Sequence, residues 1–174
     1  ADGAVTGNTR RFGASLEKVQ QVIGARAGEI MFGLNLVVHK GKTIFVADTS
    51  VHEWPTSQQL SEIAISAARV VRLFGFDPKV AFVSHSTFGQ PVTSRTEQIR
   101  EAVEILKNKK VDFEFDGDMQ PDVALNEEYK KLYPFSKIVG NANILIMPGQ
   151  HAASISYKMI KAFGDSKVIG PLLI

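Results

Sequence analysis

Three polar segments in the last third of the chain, each set against an apolar strand or an amphipathic helix, carry many of the residues that could do chemistry. They are Asp116-Gly117-Asp118-Met119-Gln120-Pro121-Asp122, then Pro134-Phe135-Ser136 through Gly140-Asn141-Ala142-Asn143, then Ser154-Ile155-Ser156-Tyr157-Lys158 leading to Gly170-Pro171. A fourth segment, Ser84-His85-Ser86-Thr87, offers three hydroxyls and several backbone N–H groups, an inventory that can bind a phosphate or pyrophosphate without a lysine. The same inventory fits a serine-rich βα turn whose hydroxyls satisfy their own backbone. Ligands of open α/β sheets collect outside the carboxyl ends of the parallel strands, so polar loops that repeatedly follow short apolar strands point to a ligand crevice.

Other chemistries fit less well. His85 lies between two serines, but no Gly-x-Ser-x-Gly elbow surrounds it, and neighbouring residues of an extended chain point in opposite directions, which argues against a hydrolase triad. The histidines at 39, 52, 85 and 151 show neither metal-ligand spacing nor a clustered carboxylate partner. Asp116, Asp118 and Asp122 alternate around a glycine as calcium ligands do. Yet Pro121 falls at a ligand position, the closing glutamate is absent, and acids ahead of a helix are explained by its N-terminal dipole. Arg10 and Arg11 near the start read as a solvated pair. Lys158 and Lys161 follow Ser154 at helical spacing and fit either an amphipathic surface or contacts to phosphate.

Composition narrows the class. A chain of 174 residues, 44% hydrophobic, supports a single globular core. A net charge of +2 with acids and bases interspersed offers no basic face for nucleic acid or an anionic membrane. No apolar run approaches the roughly 20 residues of a membrane-spanning helix. The absence of cysteine rules out disulfides and thiolate chemistry and fits a cytoplasmic protein. The abrupt opening Ala1-Asp2-Gly3 and the apolar close Leu172-Leu173-Ile174 lead us to expect a fragment, incomplete at both ends.

The elements that must position these residues follow from periodicity. Ser15 is expected to cap a helix with Leu16, Val19, Val22 and Ile23 on one face, ending near Gly24. Ile30 to Val38 and Thr43 to Ala47 read as a hairpin turning at Gly41. Thr56 and Gln59 form a capping box ahead of a helix that carries Leu60, Ile63, Ala64, Ala67, Val71 and Phe74 and stops at Gly75. Val80 to Val83 is a strand, and Ser94 with Glu97 a second capping box for a helix with Ile99, Ala102, Val103 and Leu106 inward. Phe113 to Phe115 is a strand, Val123 to Leu132 a helix, Ile144 to Met147 a strand, and Ser154 to Phe163 a helix closed by Gly164. The alternation specifies an α/β fold, a three-layer, mainly parallel sheet with one antiparallel hairpin.

Several ordered runs resemble a known family. Lys79 to Gly89, Gly140-Asn141-Ala142-Asn143-Ile144-Leu145 and Ile169-Gly170-Pro171-Leu172-Leu173 look like the phosphate acetyl/butaryl-type acyltransferases, phosphotransacetylase and phosphotransbutyrylase. Thr9-Arg10-Arg11-Phe12, Ser86-Thr87-Phe88-Gly89 and Tyr133-Pro134-Phe135-Ser136 look closer to the phosphotransacetylase-like domain of hybrid NADP-dependent malic enzymes. The resemblance implies that residues 1–174 are the inner subdomain of such a fold and that acetyl-CoA binds as an allosteric ligand. Its site would take in Thr9, Arg10, Ser84, Ser86, Thr87, Phe88, Asp116, Asn143, Ser154, Tyr157, Lys158 and Lys161. It further implies a homo-oligomer and a malic enzyme catalytic domain in the same polypeptide, where NADP and Mg or Mn would bind.

Two departures are visible. Ser154 stands where much of the family has Asn. The family's Ser-Arg pair and Asp follow the Gly-Pro strand, beyond Ile174, so these residues alone are expected not to transfer acyl groups. The leading expectation is therefore a regulatory domain without catalytic residues of its own. A true phosphate acetyltransferase and a purely structural dimerisation domain are the alternatives. Phe12, Trp54, Phe74, Phe76 and Met159 exceed what a small core must hide and are expected at an interface.

Overall fold

A computed structural model describes residues 3–7 and 9–174, which divide into two compact units, Ala1–Met31 and Phe32–Ile174. The first unit holds helix α1, Phe12–Val22. Its first turn closes where the Ser15 amide donates to Arg11 O at 3.2 Å, so the N-cap is Arg11, and Ser15 lies inside the helix rather than at its start. Gly24, at φ 67°, ends it as expected.

The second unit is a six-stranded sheet in the order β4-β3-β5-β2-β1-β6. The strands are β1 Gly33–His39, β2 Lys42–Ala47, β3 Lys79–Val83, β4 Glu114–Met119, β5 Ile144–Ile146 and β6 Lys167–Leu173. The β4–β3, β3–β5 and β5–β2 pairs are parallel, and β2–β1 is the expected hairpin, turning through Lys40 (φ 47°) and Gly41 (φ 77°). A second antiparallel pair, β1 with β6, adds to the single hairpin that the sequence pattern specifies.

Helices α2 (Ser57–Leu73) and α3 (Ser94–Lys109) cover one face, with α2 against β2, β3 and β5 and α3 against β4. Alternation sends Phe45, Val80, Phe82, Ile144 and Ile146 toward them, each at most 1% exposed. Phe74 and Phe76, just past α2, lay their rings 5.7 and 5.5 Å from that of Phe45, so part of their apolar surface is already covered. The opposite face packs Val37, Val46, Ala81, Val83 and Leu145 against α4 (Pro121–Leu125) and α6 (Gln150–Phe163). The short helix α5, Glu127–Lys130, lies between them in sequence.

Several boundaries differ from expectation, each for a local reason. The capping box of α3 is Thr93 with Thr96, one residue early, because Thr93 is extended and its hydroxyl accepts from the Thr96 amide at 3.3 Å. The expected helix over 123–132 breaks at Asn126, whose side chain caps α5 by accepting from the Glu128 amide. Helix α6 begins at Gln150, one turn before Ser154. Residues Asp116 to Met119, expected as a loop, are strand. Two acids and a glycine disfavour strand, but here both acids find donors and Gly117 is needed, since a Cβ there would lie 2.7 Å from Phe82 Cβ on the paired strand.

The end of β2 is fastened by one carboxylate. Asp48, 1% exposed, accepts from the amides of Gly33 (2.9 Å), Ser50 (2.8 Å) and His52 (2.6 Å) and from His52 Nδ1 (2.6 Å). Burial pushes its carboxyl up, but the His52 ring and the amides of Gly33, Ser50 and His52 outweigh burial and hold it below the usual carboxylate range. A folded-state pKa below the unfolded value of about 3.9 contributes stability that is complete above that value and is lost as pH falls through the folded pKa. In urea denaturation across acid pH, stability should therefore drop below about pH 4. Asp48→Asn should cost about 2–4 kcal/mol at neutral pH and flatten that acid limb. An unchanged acid limb in the variant would refute the role.

Candidate functional site

The connections after β2 and β3 lead to α2 and α3 on one face of the sheet, whereas the connection after β5, between them, leads to α6 on the other. The chain thus parts at the carboxyl end of β5, the kind of divergence at which open α/β sheets form a crevice. The loops bordering it are 48–56, 84–93 and 147–149, with Gln120 at the end of β4.

Ser84 leaves β3 with its amide bonded to Met119 O at 2.9 Å, and two residues on the Ser86 amide donates to Ser84 Oγ at 3.3 Å. Ser86 is fully buried and its hydroxyl donates to Asp118 Oδ2, while Arg100 Nε on α3 donates to Asp118 Oδ1 at 3.0 Å. Ser84 Oγ, 3.2 Å from Ser86 Oγ, is a second acceptor within reach of that hydroxyl's one proton. The result is a buried polar cluster in which Ser86 stands between Ser84 and a carboxylate balanced by a guanidinium. Nη2 of Arg100 is buried without a protein partner. Arg100 escapes a reading of the sequence because nothing in its helical context marks it, and its role appears only once β4 is placed beside β3.

Thr87 and Phe88 complete the loop. Thr87 Oγ1 accepts from the Gln120 amide at 3.2 Å, and Phe88, at φ 46°, donates its amide to Asp118 O at 2.8 Å. The Phe88 ring meets Tyr133 (5.5 Å) and Phe135 (4.9 Å), so two motifs distant in the chain, Ser86-Thr87-Phe88-Gly89 and Tyr133-Pro134-Phe135-Ser136, join as one aromatic cluster.

The other candidate residues are spread more widely. Asp116, 7% exposed, accepts from the Lys137 amide at 2.8 Å and from the Gly117 amide, tying β4 to the segment ahead of Gly140. In the same segment, Lys130 Nζ donates to Ile138 O at 3.1 Å, and burial, then the nearby Lys79, pushes the Lys130 ammonium below the ordinary lysine value against the pull of Glu127, Glu114 and Asp116. Asn143 accepts from the Lys79 amide at 2.8 Å and donates to Asp77 O at 2.7 Å, which places it at the amino ends of β3 and β5. At about 3.3 Å per strand residue it is some 16 Å from Ser84 along the strand direction.

On α6, Ser154 and Tyr157 are half-buried and Lys158 and Lys161 exposed. Counting about 1.5 Å per helical residue from Gln150, they lie roughly 6, 10, 12 and 16 Å along the axis, so Lys161 is remote from the first turn. Thr9 and Arg10 belong to the first compact unit, exposed ahead of α1. Ser84, Ser86, Thr87 and Phe88 are therefore brought together, whereas Asn143 is at the opposite edge. Among the described residues, no group of three or more His, Cys, Asp or Glu could hold a metal ion.

The sequence profile of the family described as phosphate acetyl/butaryl transferase matches residues 1–174. The chain belongs to that family. It is 48% identical over 174 residues to an NADP-dependent malic enzyme of Rhizobium meliloti, covering all of this chain and 23% of that protein. It is 35% identical over 181 residues to a phosphate acetyltransferase of Clostridium acetobutylicum, covering 98% of this chain and 54% of that protein. A phosphotransacetylase structure from Streptococcus pyogenes superposes with a TM-score of 0.91 at 31% identity, over 99% of this chain and 54% of that one. The chain thus spans less than a quarter of the malic enzyme and about half of the transferases.

The buried chain of polar groups generates a test. Ser86→Ala removes a donor from a buried carboxylate and should cost about 1–3 kcal/mol in urea denaturation. His85→Ala, at an exposed side chain in the same loop, should stay within about 0.5 kcal/mol of the parent. Equal stabilities for the two variants would sever Ser86 from the network.

Proposed function

We propose that the chain is an acetyl-CoA-binding regulatory domain of an NADP-dependent malic enzyme, without acyltransferase activity of its own. The observation that carries this reading is identity: 48% across the whole chain to a malic enzyme, against 32% and 35% to two phosphate acetyltransferases. In this reading NADP and a divalent metal, Mg or Mn, belong to the malate-decarboxylating domain of the same polypeptide. Acetyl-CoA would occupy the crevice, with the Ser84–Phe88 loop as one wall. Its influence on the distant site would be a coupling free energy, exerted by binding one arrangement of the oligomer better than another.

A second reading, an active phosphate acetyltransferase, draws on the 35% identity to the Clostridium acetobutylicum enzyme. A third, a dimerisation domain with an empty crevice, requires only the exposed apolar surface. On α6 that surface includes Ile155 (60% exposed), Met159 (53%) and Phe163 (87%), a stripe at four-residue spacing.

Three measurements separate the readings. Acetyl-CoA at about 100 times its Kd should stabilise the protein by about 2.7 kcal/mol in thermal or chemical denaturation, and the third reading expects none. Ser86→Ala should weaken acetyl-CoA binding in calorimetry. Acetyl phosphate–CoA exchange should be absent from the intact protein, and exchange at ordinary enzyme rates would favour the second reading. For association, light scattering over a concentration series should find a homodimer or larger species. A strict monomer of the intact protein would end that part of the reading.

A further inference from the structure

The loop at the end of β2 carries an exposed tryptophan in an unusually well-anchored setting. The Gln150 amide at the start of α6 donates to His52 O at 2.9 Å, and Gln98 Nε2 on α3 donates to Pro55 O at 2.8 Å, so the segment between them is fastened on both sides. Gly149 fits so closely beneath it that a Cβ would stand 2.4 Å from Glu53 O. At the tip Trp54 remains 67% exposed. The Arg95 guanidinium carbon lies 4.2 Å from the indole centroid, and the His151 ring meets the indole edge-on at 6.0 Å and 61°.

The polar groups around this ring are incompletely used. Arg95 gives one N–H to Gln98 Oε1 at 2.6 Å, from a side chain with five donors. His151 Nε2 is 3.0 Å from Glu53 Oε1. Arg95 and His151 are each the second residue of their helices, so the amino-terminal ends of α3 and α6 both face this region, and α6 has no side-chain cap. A rigid exposed π-face beside a planar cation with unused donors matches one ligand chemistry closely: a purine ring carrying phosphate.

We propose that Trp54, Arg95 and His151 form the platform for the adenine nucleotide end of the CoA ligand, the purine on the indole and a phosphate on Arg95. This rests on the acetyl-CoA reading above and assigns the nucleotide end of that ligand. Trp54 lies in the loop after β2, and Arg95 follows the loop that carries Ser84–Phe88, both among the loops that border the crevice.

Trp54 is the single tryptophan of the chain, so indole fluorescence reports on it, and subtracting the W54F spectrum isolates it within a longer polypeptide. The probes are adenosine 3′,5′-bisphosphate, which carries the nucleotide alone, and S-acetylpantetheine, which lacks it. The bisphosphate should quench the fluorescence saturably. W54A and R95M should weaken it by about tenfold or more, W54F should retain most affinity, and S-acetylpantetheine should bind all variants alike. Absence of quenching, or parental bisphosphate affinity in both W54A and R95M, would overturn the platform. So would a loss of self-association in W54A with nucleotide binding intact, since the ring would then serve a second copy of the chain. Acetyl-CoA binding that is unchanged in W54A would remove the platform and leave the acetyl-CoA reading standing. Bisphosphate binding without any acetyl-CoA binding would do the reverse.

Discussion

A carboxylate withdrawn from water must be supplied with hydrogen-bond donors, and this requirement organises the carboxyl edge of the sheet. Asp48 after β2 and Asp118 near the end of β4 are both essentially unexposed. The first collects the amides of Gly33, Ser50 and His52, which draws the chain after β2 into a fixed curl and ties it to the start of β1. The second takes Ser86 and Arg100, which joins the loop after β3 to both β4 and α3. An unpaired buried charge would cost several kcal/mol, so each carboxylate compels the backbone around it. The crevice walls are built on these two points.

Much of the scaffold was legible because its signals are local. The Thr56–Gln59 capping box, the Gly75 stop and the apolar spacing of α2 lie within one stretch of sequence and were placed correctly. The hairpin at Lys40-Gly41 was equally clear. What failed depended on partners far along the chain. Residues 116–119 look like a loop until Ser86, Arg100 and Lys137 supply donors and Phe82 excludes any side chain at 117. The β1–β6 pair joins segments with no shared local pattern, and the start of α6 is set by Gly149 packing on Glu53 rather than by a capping residue.

The candidate site divides in the same way. The hydroxyl-rich Ser84–Thr87 loop is recognisable from residue types, yet its Ser86 hydroxyl is turned into the protein, toward Asp118. Asn143 is polar and lies in a family-like motif, but its amide bridges Asp77 and Lys79 at the far edge of the sheet. Asp116 likewise secures Lys137. The two aromatic motifs, by contrast, do meet, through Phe88, Tyr133 and Phe135, a contact that no spacing within either motif could reveal.

The three-residue strand β5 also governs how the chain can assemble. β2 and β3 do not touch in the sheet order; each pairs with β5, so Phe45 and Val80 share Ile144 as partner. Until residues 144–146 are inserted, the β1–β2 hairpin and the β3–β4 pair are separate sheets, each with an apolar open edge. Closure therefore waits on a late segment reaching back to distant ones, a slow, high-contact-order step. During that interval the open edges are the places where another chain could add. The shortest strand is thus also the keystone of assembly, and a chain emerging from the ribosome remains vulnerable until it arrives.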